Sequence, residues 1–587
     1  MLVGKHFRKY YLKYAYFFII GVFVLIAVDW LQLEVPRIIG QIIDALRDTS
    51  PDTVAIENGI KRIIYLALVI AAGRFLWRYT IFGASRRIEY QLQNVMFKQS
   101  TLLSQSFYSQ NKVGGLMTYY INDLQAVRMA FGPGILMLFD GLFMGGFALY
   151  KMAQLEVFLT IIAASPMVIL TVVMIFIRKS MSVKFKLRQK AFENLSDFTQ
   201  ESFSGITVVK AFVREAKEYM LFRQRNDELY AKHMGFVKHM VLVNILISVA
   251  INVVVLLIIV VGSVLAIYAT SAQLTGGQLT EYIGYFFSLI WPTMALSRFI
   301  QIQSQAKASA ERIEAFLDHE IDVKDHPEAV YAEELKGSIQ AKNLTFQYPD
   351  GDIPVLKNVN FEIEAGEMVG ILGRTGSGKS SLVDLLLRVY NLEEGQMFLD
   401  GNDLMRLPIH QVRDTIGYVP QDNFLFSETI SSNIGFAHQD PNRETIEQAA
   451  KYSDVYDNIM EFKHQFDTIL GERGVTVSGG QKQRISIARA LAKDPKILIL
   501  DDSVSAVDTK TEDAIINNLH QLRKGRTTIF IAHRISTVKK MDKIILLDDG
   551  EVVAIGSHDE LMKASTLYQD MVRRQQLENI VQGVDVA

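Results

Sequence analysis

The 587-residue sequence contains no cysteine. Disulfides, thiolate metal sites and cysteine nucleophiles are therefore excluded, while either redox compartment stays open. An excess of charge is also missing: 61 Lys and Arg stand against 63 Asp and Glu, for a net charge of −2. So neutral a chain makes no electrostatic case for nucleic acid as its main partner. A third absence is local, because segments 48–59, 154–156 and 270–280 hold no Lys or Arg.

What is present is a lopsided distribution of apolar residues. The mean hydropathy is positive although the second half is polar, so apolar side chains must concentrate in the first half. Six runs there are long enough to enter a bilayer: 14–39, 64–82, 132–152, 157–177, 241–269 and 282–296. A helix needs ~20 residues to span; the last run is short, but helical pattern continues on both sides of it. Lys5, Arg8, Lys9 and Lys13 precede the first run, and connections 86–128 and 178–238 are rich in Lys and Arg. The positive-inside rule then places both termini and both long connections in the cytoplasm. A signal peptide is excluded by the length of the first run and by the lack of a small-residue cleavage site before a polar start.

Segments 86–124 and 181–230 contain no proline and keep helical periodicity. They read as membrane helices running on into the cytoplasm, paired through short turns near 110–115 and 205–215, where they would suit contact with a soluble domain. Asp29, Arg74, Arg78 and Asp140 lie within the apolar runs. Intramembrane charges face a cavity or one another. They either line a substrate path, with Asp29 or Asp140 attracting cations, or form an internal ion pair such as Arg74 with one aspartate. Pro36, Pro166 and Pro292 kink their helices or free carbonyls, which packing explains as well as function does.

Residues 306–317 read as a polar amphipathic helix, and 318–335, charged and containing Pro327, as a linker. From 337 onward, short β-rich runs such as 371–372, 416–419, 497–500, 528–531 and 544–547 alternate with helical stretches. That is the pattern of an α/β domain. The expected organisation is a membrane domain over 1–317 with six helices and cytoplasmic extensions, a linker over 318–336, an α/β domain over 337–578, and a tail over 579–587.

Gly373-Arg374-Thr375-Gly376-Ser377-Gly378-Lys379-Ser380 fits the phosphate-binding pattern G-x-x-x-x-G-K-[ST], followed by Ser381. A buried strand over 368–372 precedes it and a helix over 381–389 follows, as such a loop requires. The glycines let backbone N–H groups turn inward around a polyphosphate, and the helix N-terminus adds partial positive charge. Lys379 would neutralise the β- and γ-phosphates, and Ser380 would ligate Mg²⁺. The apolar run 497–500 ends in Asp501, which beside such a loop would also hold Mg²⁺.

Between these motifs lies Val477-Ser478-Gly479-Gly480-Gln481, then Lys482-Gln483-Arg484 and a helical pattern. Here the chain resembles ATP-binding-cassette (ABC) exporters that fuse membrane and nucleotide domains. Ser478, Gly479, Gly480 and Gln481 match that family's signature motif. It is a second helix N-terminus with bare backbone donors, which in the family holds the γ-phosphate of ATP bound to the opposing subunit. The resemblance assigns Tyr348, before Pro349, to adenine stacking. It assigns Gln421, in Val419-Pro420-Gln421, to reaching Mg²⁺ and sensing the membrane domain. Gly471-Glu472-Arg473-Gly474 resembles the exporter X-loop and Ser505-Ala506-Val507-Asp508 the D-loop. Alone, His533 reads as a structural residue at a strand end; its place after 528–531 and the resemblance make it the switch histidine that contacts the γ-phosphate. Residues 205–215 resemble the second coupling region. The fold implied is a membrane α-helical domain of the exporter type followed by an α/β P-loop domain.

One position departs from the family pattern. The residue after the strand aspartate is normally the Glu that polarises the attacking water, and here it is Asp502. One methylene sets its carboxylate back by roughly 1.5 Å. A misplacement of about 1 Å can cost ~10²-fold in rate. ATP binding should survive, since the phosphate loop, Asp501 and Tyr348 are intact. The resemblance therefore implies a subunit of a bacterial multidrug exporter in the plasma membrane, with its own site impaired. A partner half-transporter would carry Glu at the equivalent position, and the substrate would be an amphipathic small molecule. The alternatives are a homodimeric lipid or peptide exporter, and an ATP-gated channel or regulatory subunit.

Overall fold

The computed structural model describes residues 4–47, 52–111, 113–268, 274–471, 474, 476–503 and 509–581. The chain divides into two compact units. One comprises Met1–Phe97 and Gly114–Asp318, the other Lys98–Val113 and His319–Ala587.

The first unit is built of long helices. Among the described residues, Ala15–Arg47, Val113–Leu155, Glu215–Leu265 and Gly276–Leu317 are long and apolar enough to cross a membrane. The expected spans 64–82 and 157–177 fall on helices Thr53–Leu102 and Val157–Ser204. The first of these is interrupted by Arg74 and Arg78, and in the second only Val157–Pro166 is described as an apolar helical stretch. Apolar side chains of different helices meet in one core, including Leu33, Met144, Tyr282, Tyr285 and Phe286.

The expected cytoplasmic turns are short helices. Gln105–Gln110 follows the end of Thr53–Leu102 and stops at extended Asn111, so the first turn begins earlier than the expected 110–115 and overlaps it only at its end. Ile206–Ala211 occupies the second turn. Beyond the first, the backbone widens into π-turns at Tyr119–Asp123 and Ala130–Gly134. Pro133, which lacks an N–H, sits in the second. The first ends on buried Asp123, which accepts from Ser309 Oγ at 2.8 Å and is ion-paired with Arg312.

Helix Gly276–Leu317 begins with a capping box. Thr275 Oγ1 accepts from the Gln278 N–H, and Gln278 Oε1 accepts from the Thr275 N–H. Asp44, near the end of Ala15–Arg47, accepts from Thr275 Oγ1 at 2.6 Å and from the Gly277 N–H at 2.8 Å. The two helices touch backbone to backbone there. A Cβ on Gly40 would lie 2.6 Å from the Gly277 carbonyl, and one on Gly284 would lie 2.7 Å from Pro36.

Among the described residues the second unit holds ten strands: β1 (Ile339–Phe346), β2 (Leu356–Ile363), β3 (Met368–Gly373), β4 (Met397–Leu399), β5 (Asn402–Asp403), β6 (Ile416–Val419), β7 (Ile497–Asp501), β8 (Thr527–Ala532), β9 (Lys543–Asp548) and β10 (Glu551–Gly556). An antiparallel sheet runs β2-β1-β4-β5. A larger sheet runs β10-β9-β3-β8-β7-β6, parallel except for the β9–β10 edge. Every residue of β3, β7 and β8 is buried, as expected of parallel strands covered on both faces. Successive side chains serve opposite faces. Leu498, Leu500, Phe530 and Leu546 enter one core, and Ile497, Ile499, Ile529, Ile531 and Ile545 enter the other.

Segment 319–335, expected as a linker, has no regular structure but is fastened along its length within this unit. Asn391 donates to the Asp322 carbonyl, the Ile409 N–H to Asp325, and Gln411 to the Ala332 carbonyl. Arg388, fully buried, donates to the Lys324 and Leu404 carbonyls.

Candidate functional site

Four parallel strands deliver the site. Gly373 ends β3, Asp501 ends β7 and His533 follows β8, while Gln421 lies two residues beyond β6. Registers Leu372↔Ala532, Leu500↔Phe530 and Val419↔Leu500 bring these carboxyl ends to one edge of the sheet. In open parallel sheets, ligands bind outside that edge.

The phosphate loop joins β3 to helix Lys379–Leu386. Gly376 and Gly378 have φ of 86° and 94°, which favour glycine. A Cβ on Gly373 would collide with the Leu547 carbonyl and Ser377 Oγ, and one on Gly378 would lie 2.7 Å from Leu356. Arg374, Thr375 and Gly376 form the exposed rim, with Ser380 exposed behind them. The helix is shorter than the expected 381–389. It ends because Arg388 turns left-handed, with the Val389 N–H bonded back to Asp384 and the Arg388 N–H to Leu385.

Lys379 is buried, and its ammonium donates to the Gly373 and Arg374 carbonyls at 2.9 Å each. Burial pushes the ammonium below its ordinary range, against the attraction of Asp501 and Asp502. Burial likewise pushes the Asp501 carboxyl up, opposed first by its bond with the Ser380 hydroxyl. His533 is exposed; what burial it has, and then the Lys379 charge, hold its imidazole below the ordinary range, opposed by Asp502 and Asp501. Phosphate loop, Asp501, Asp502 and His533 therefore form one electrostatic cluster.

The residues fit a nucleotide polyphosphate with its metal. Ser377 Oγ is buried without a hydrogen-bond partner among the described residues, a cation turns inward, and a hydroxyl meets a carboxylate at Ser380 and Asp501. Hydroxyl and carboxylate oxygens are the donors that Mg²⁺ prefers.

Tyr348 stands beside the loop. Its hydroxyl donates to Ser381 Oγ at 2.8 Å, and its ring meets Phe346 and Tyr390 edge-on at 5.0 and 5.1 Å. Gln421 is exposed. The signature residues lie apart in their bonding. Ser478 and Gln481 cap helix Gly479–Ala492 reciprocally, and among the described residues the side-chain hydrogen bonds at Ser478, Gly480 and Gln481 stay within that helix and its cap. Ser478 and Gly479 are exposed at its start. Gly471 and Gly474 are described, but Glu472 and Arg473 of the X-loop and all of Ser505, Ala506, Val507 and Asp508 lie outside the described residues.

Several contacts and conformations here escaped the sequence reading. Asp502 has φ of 46°, its N–H bonds to the Ile531 carbonyl, and its own carbonyl accepts from Gln483 Nε2 at 3.1 Å. Tyr418 OH reaches Asp501 at 3.5 Å. Asp384 is within 3.5 Å of the Tyr348 hydroxyl. Asp384 carried one available signal, as an acid inside the apolar run that follows the loop.

Two family patterns match the chain: ABC transporter over residues 356–505, and ABC transporter transmembrane region over residues 18–293. The chain belongs to the ABC transporter family. This ABC transporter is 36% identical to the "Multidrug resistance-like ATP-binding protein MdlA" of Escherichia coli, over 95% of this chain and 94% of that one. It is 33% identical to the "Probable multidrug resistance ABC transporter ATP-binding/permease protein YheI" of Bacillus subtilis, over 99% and 98%. Its fold matches a solved bacterial Atm1-family ABC exporter with ATP bound, at a TM-score of 0.73 and 24% identity, over 97% of this chain and 98% of that one. The chain is thus a multi-pass membrane ABC exporter whose nucleotide domain hydrolyses ATP in support of transport.

Proposed function

We propose that this ABC exporter is one half of a heterodimer that moves amphipathic compounds, multiple drugs among them, out of a bacterial cell. Names of relatives sharing a third of its residues over nearly full length support the drug class. The single observation that carries the heterodimer is Asp502, which stands where the family has Glu.

In this reading the phosphate loop, from Gly373 to Ser381, holds ATP, with Tyr348 at the base. Lys379 neutralises phosphate charge and His533 contacts the γ-phosphate. Ser380, Gln421 and Asp501 would hold Mg²⁺, which supplies charge neutralisation of the phosphates. Asp502 polarises the water, but from a shorter side chain. Ser478, Gly479, Gly480 and Gln481 are intact and would complete the partner's site, so turnover falls mainly there. Closure of the paired cassettes, passed through segments around 105–110 and 206–211, would switch the membrane helices from inward-facing to outward-facing.

The test is steady-state ATP hydrolysis by the chain purified alone in lipid, beside Asp502→Glu. A nearly inactive wild type with turnover restored by Asp502→Glu supports the impaired site and the need for a Glu-bearing partner. Ordinary turnover by the wild type alone sinks the impaired site and makes the homodimer the better reading.

A further inference from the structure

A cavity of about 550 Å³ lies within the membrane unit, and Asp29, Asp140, Arg74, Trp77 and Trp291 are among its lining residues. Asp29 is 3% exposed, and its Oδ2 has no hydrogen-bond partner among the described residues. Its carboxyl and that of Asp140 are within hydrogen-bonding reach of each other. Two carboxylate oxygens can face one another only if positive charge lies between them, as a shared proton or a bound cation.

The charges packed against the pair are few. Helix Thr53–Leu102 presents Arg74 and Arg78 to the cavity, and helix Ile135–Leu155 presents Asp140 itself. Helix Gly276–Leu317 contributes Phe287, Ser288 and Trp291, none of them charged. Arg74 donates to Gln32 Oε1 at 2.8 Å, and Arg78 lies over the Trp77 ring at 5.3 Å. The hydrogen bond of Arg74 thus goes to an uncharged group while its charge still acts on both carboxyls, and Trp291 Nε1 donates to Asp140 Oδ2. The rest of the wall mixes the aromatic rings of Trp77, Phe287 and Trp291, a residue type that attracts organic cations, with aliphatic Leu25, Val28, Leu136 and Met144.

A second cavity of about 680 Å³ shares Gln32, Arg74, Arg78 and Ser288 with the first, and Val35, Pro36 and Ile70 supply apolar wall. Acidic and apolar chambers therefore adjoin, which suits a molecule with one charged end and a greasy body.

We infer that the Asp29–Asp140 pair binds the charged group of an organic cation, which displaces a proton the two carboxyls share, while the apolar part occupies the adjoining chamber. This rests on the exporter reading and names its substrate class. The exchange balances as one cation in and one proton out, with no bond to carbon formed or broken.

The experiment is equilibrium binding of tetraphenylphosphonium to the full chain in lipid nanodiscs without ATP, with triphenylphosphine oxide as the neutral probe. In weak buffer, about one proton should leave per cation bound, and affinity should rise with pH. Asp29→Asn and Asp140→Asn should each weaken the cation about tenfold or more and spare the neutral probe. Equal cation binding by wild type and both variants overturns the inference, as does parallel loss of the neutral probe. Cation binding by the wild type without proton release also overturns it, and needs no variant to fold. ATP-driven export of a neutral amphiphile alongside failed cation binding would leave the exporter reading intact and remove only this inference.

Discussion

The side-chain amide of Gln483 donates to the backbone carbonyl of Asp502 at 3.1 Å. Gln483 is 3% exposed and sits on the signature helix Gly479–Ala492, so one turn of that helix steadies the backbone at the end of β7. Asp502 needs steadying, since its φ of 46° is left-handed, a conformation that Asp and Asn tolerate better than Glu. Gln483→Ala should cost about 1–2 kcal/mol and raise amide exchange at Asp502 and Ser503, with the rest of β7 unchanged. Unchanged exchange at both amides would show that the contact holds nothing.

Gly378 permits no side chain. Its φ of 94° forbids one, and a Cβ there would stand only 2.7 Å from Leu356. Gly378→Ala should cost roughly 1–3 kcal/mol and abolish high-affinity binding of a fluorescent ATP analogue. Gly376→Ala meets no atom within 4 Å and should lose less affinity.

Asp384 gives the nucleotide-free chain a pH signature. Burial, and then the Asp501 charge, push its carboxyl from 3.8 up to about 6, against its contact with Tyr348. A carboxyl raised on folding favours the folded state fully below pH ~4, and that stability is lost as pH climbs through about 6. Asp384→Asn removes the buried charge. It should stabilise the nucleotide-free chain by roughly 1–3 kcal/mol at pH 7.5, a gain that shrinks toward pH 4. Melting curves across that range decide it, and a gain independent of pH would rule out titration of Asp384 as its cause.

Asp44 ties the start of Gly276–Leu317 to the end of Ala15–Arg47 through Thr275 and Gly277. Asp44→Ala should cost about 1–3 kcal/mol, seen as a lower thermal midpoint. Because the chain has no cysteine, a pair introduced by Asp44→Cys and Thr275→Cys reports cleanly. It should cross-link equally with and without ATP; loss of cross-linking in one condition would mean that the junction opens.

The parallel strands of the nucleotide domain were legible because burial on both faces leaves runs of apolar residues. The run 416–419 is β6 itself, and 528–531 lies inside β8. Ser478 and Gln481 were legible as a helix start because a capping box is local chemistry. The left-handed Asp502, the Gln483 contact and the buried Arg388 were not. Each depends on partners 16 to 64 residues away, and spacing carries no trace of them. The first turn begins earlier than expected because no local signal marks the break after Leu102, whereas Gly114 and Gly115, which look like a break, lie within helix Val113–Thr118. The linker looked free because charge and proline mark exposure, and its anchoring is largely through backbone groups.

The seating of Gly40 against Gly277 leaves no slack between two helices whose junction joins positions 233 residues apart. The first and last membrane helices therefore act as a single strut at that end. Alternating access would then have to borrow its freedom from the seams among the other helices, so mutations that loosen those seams should change transport while the strut stays shut.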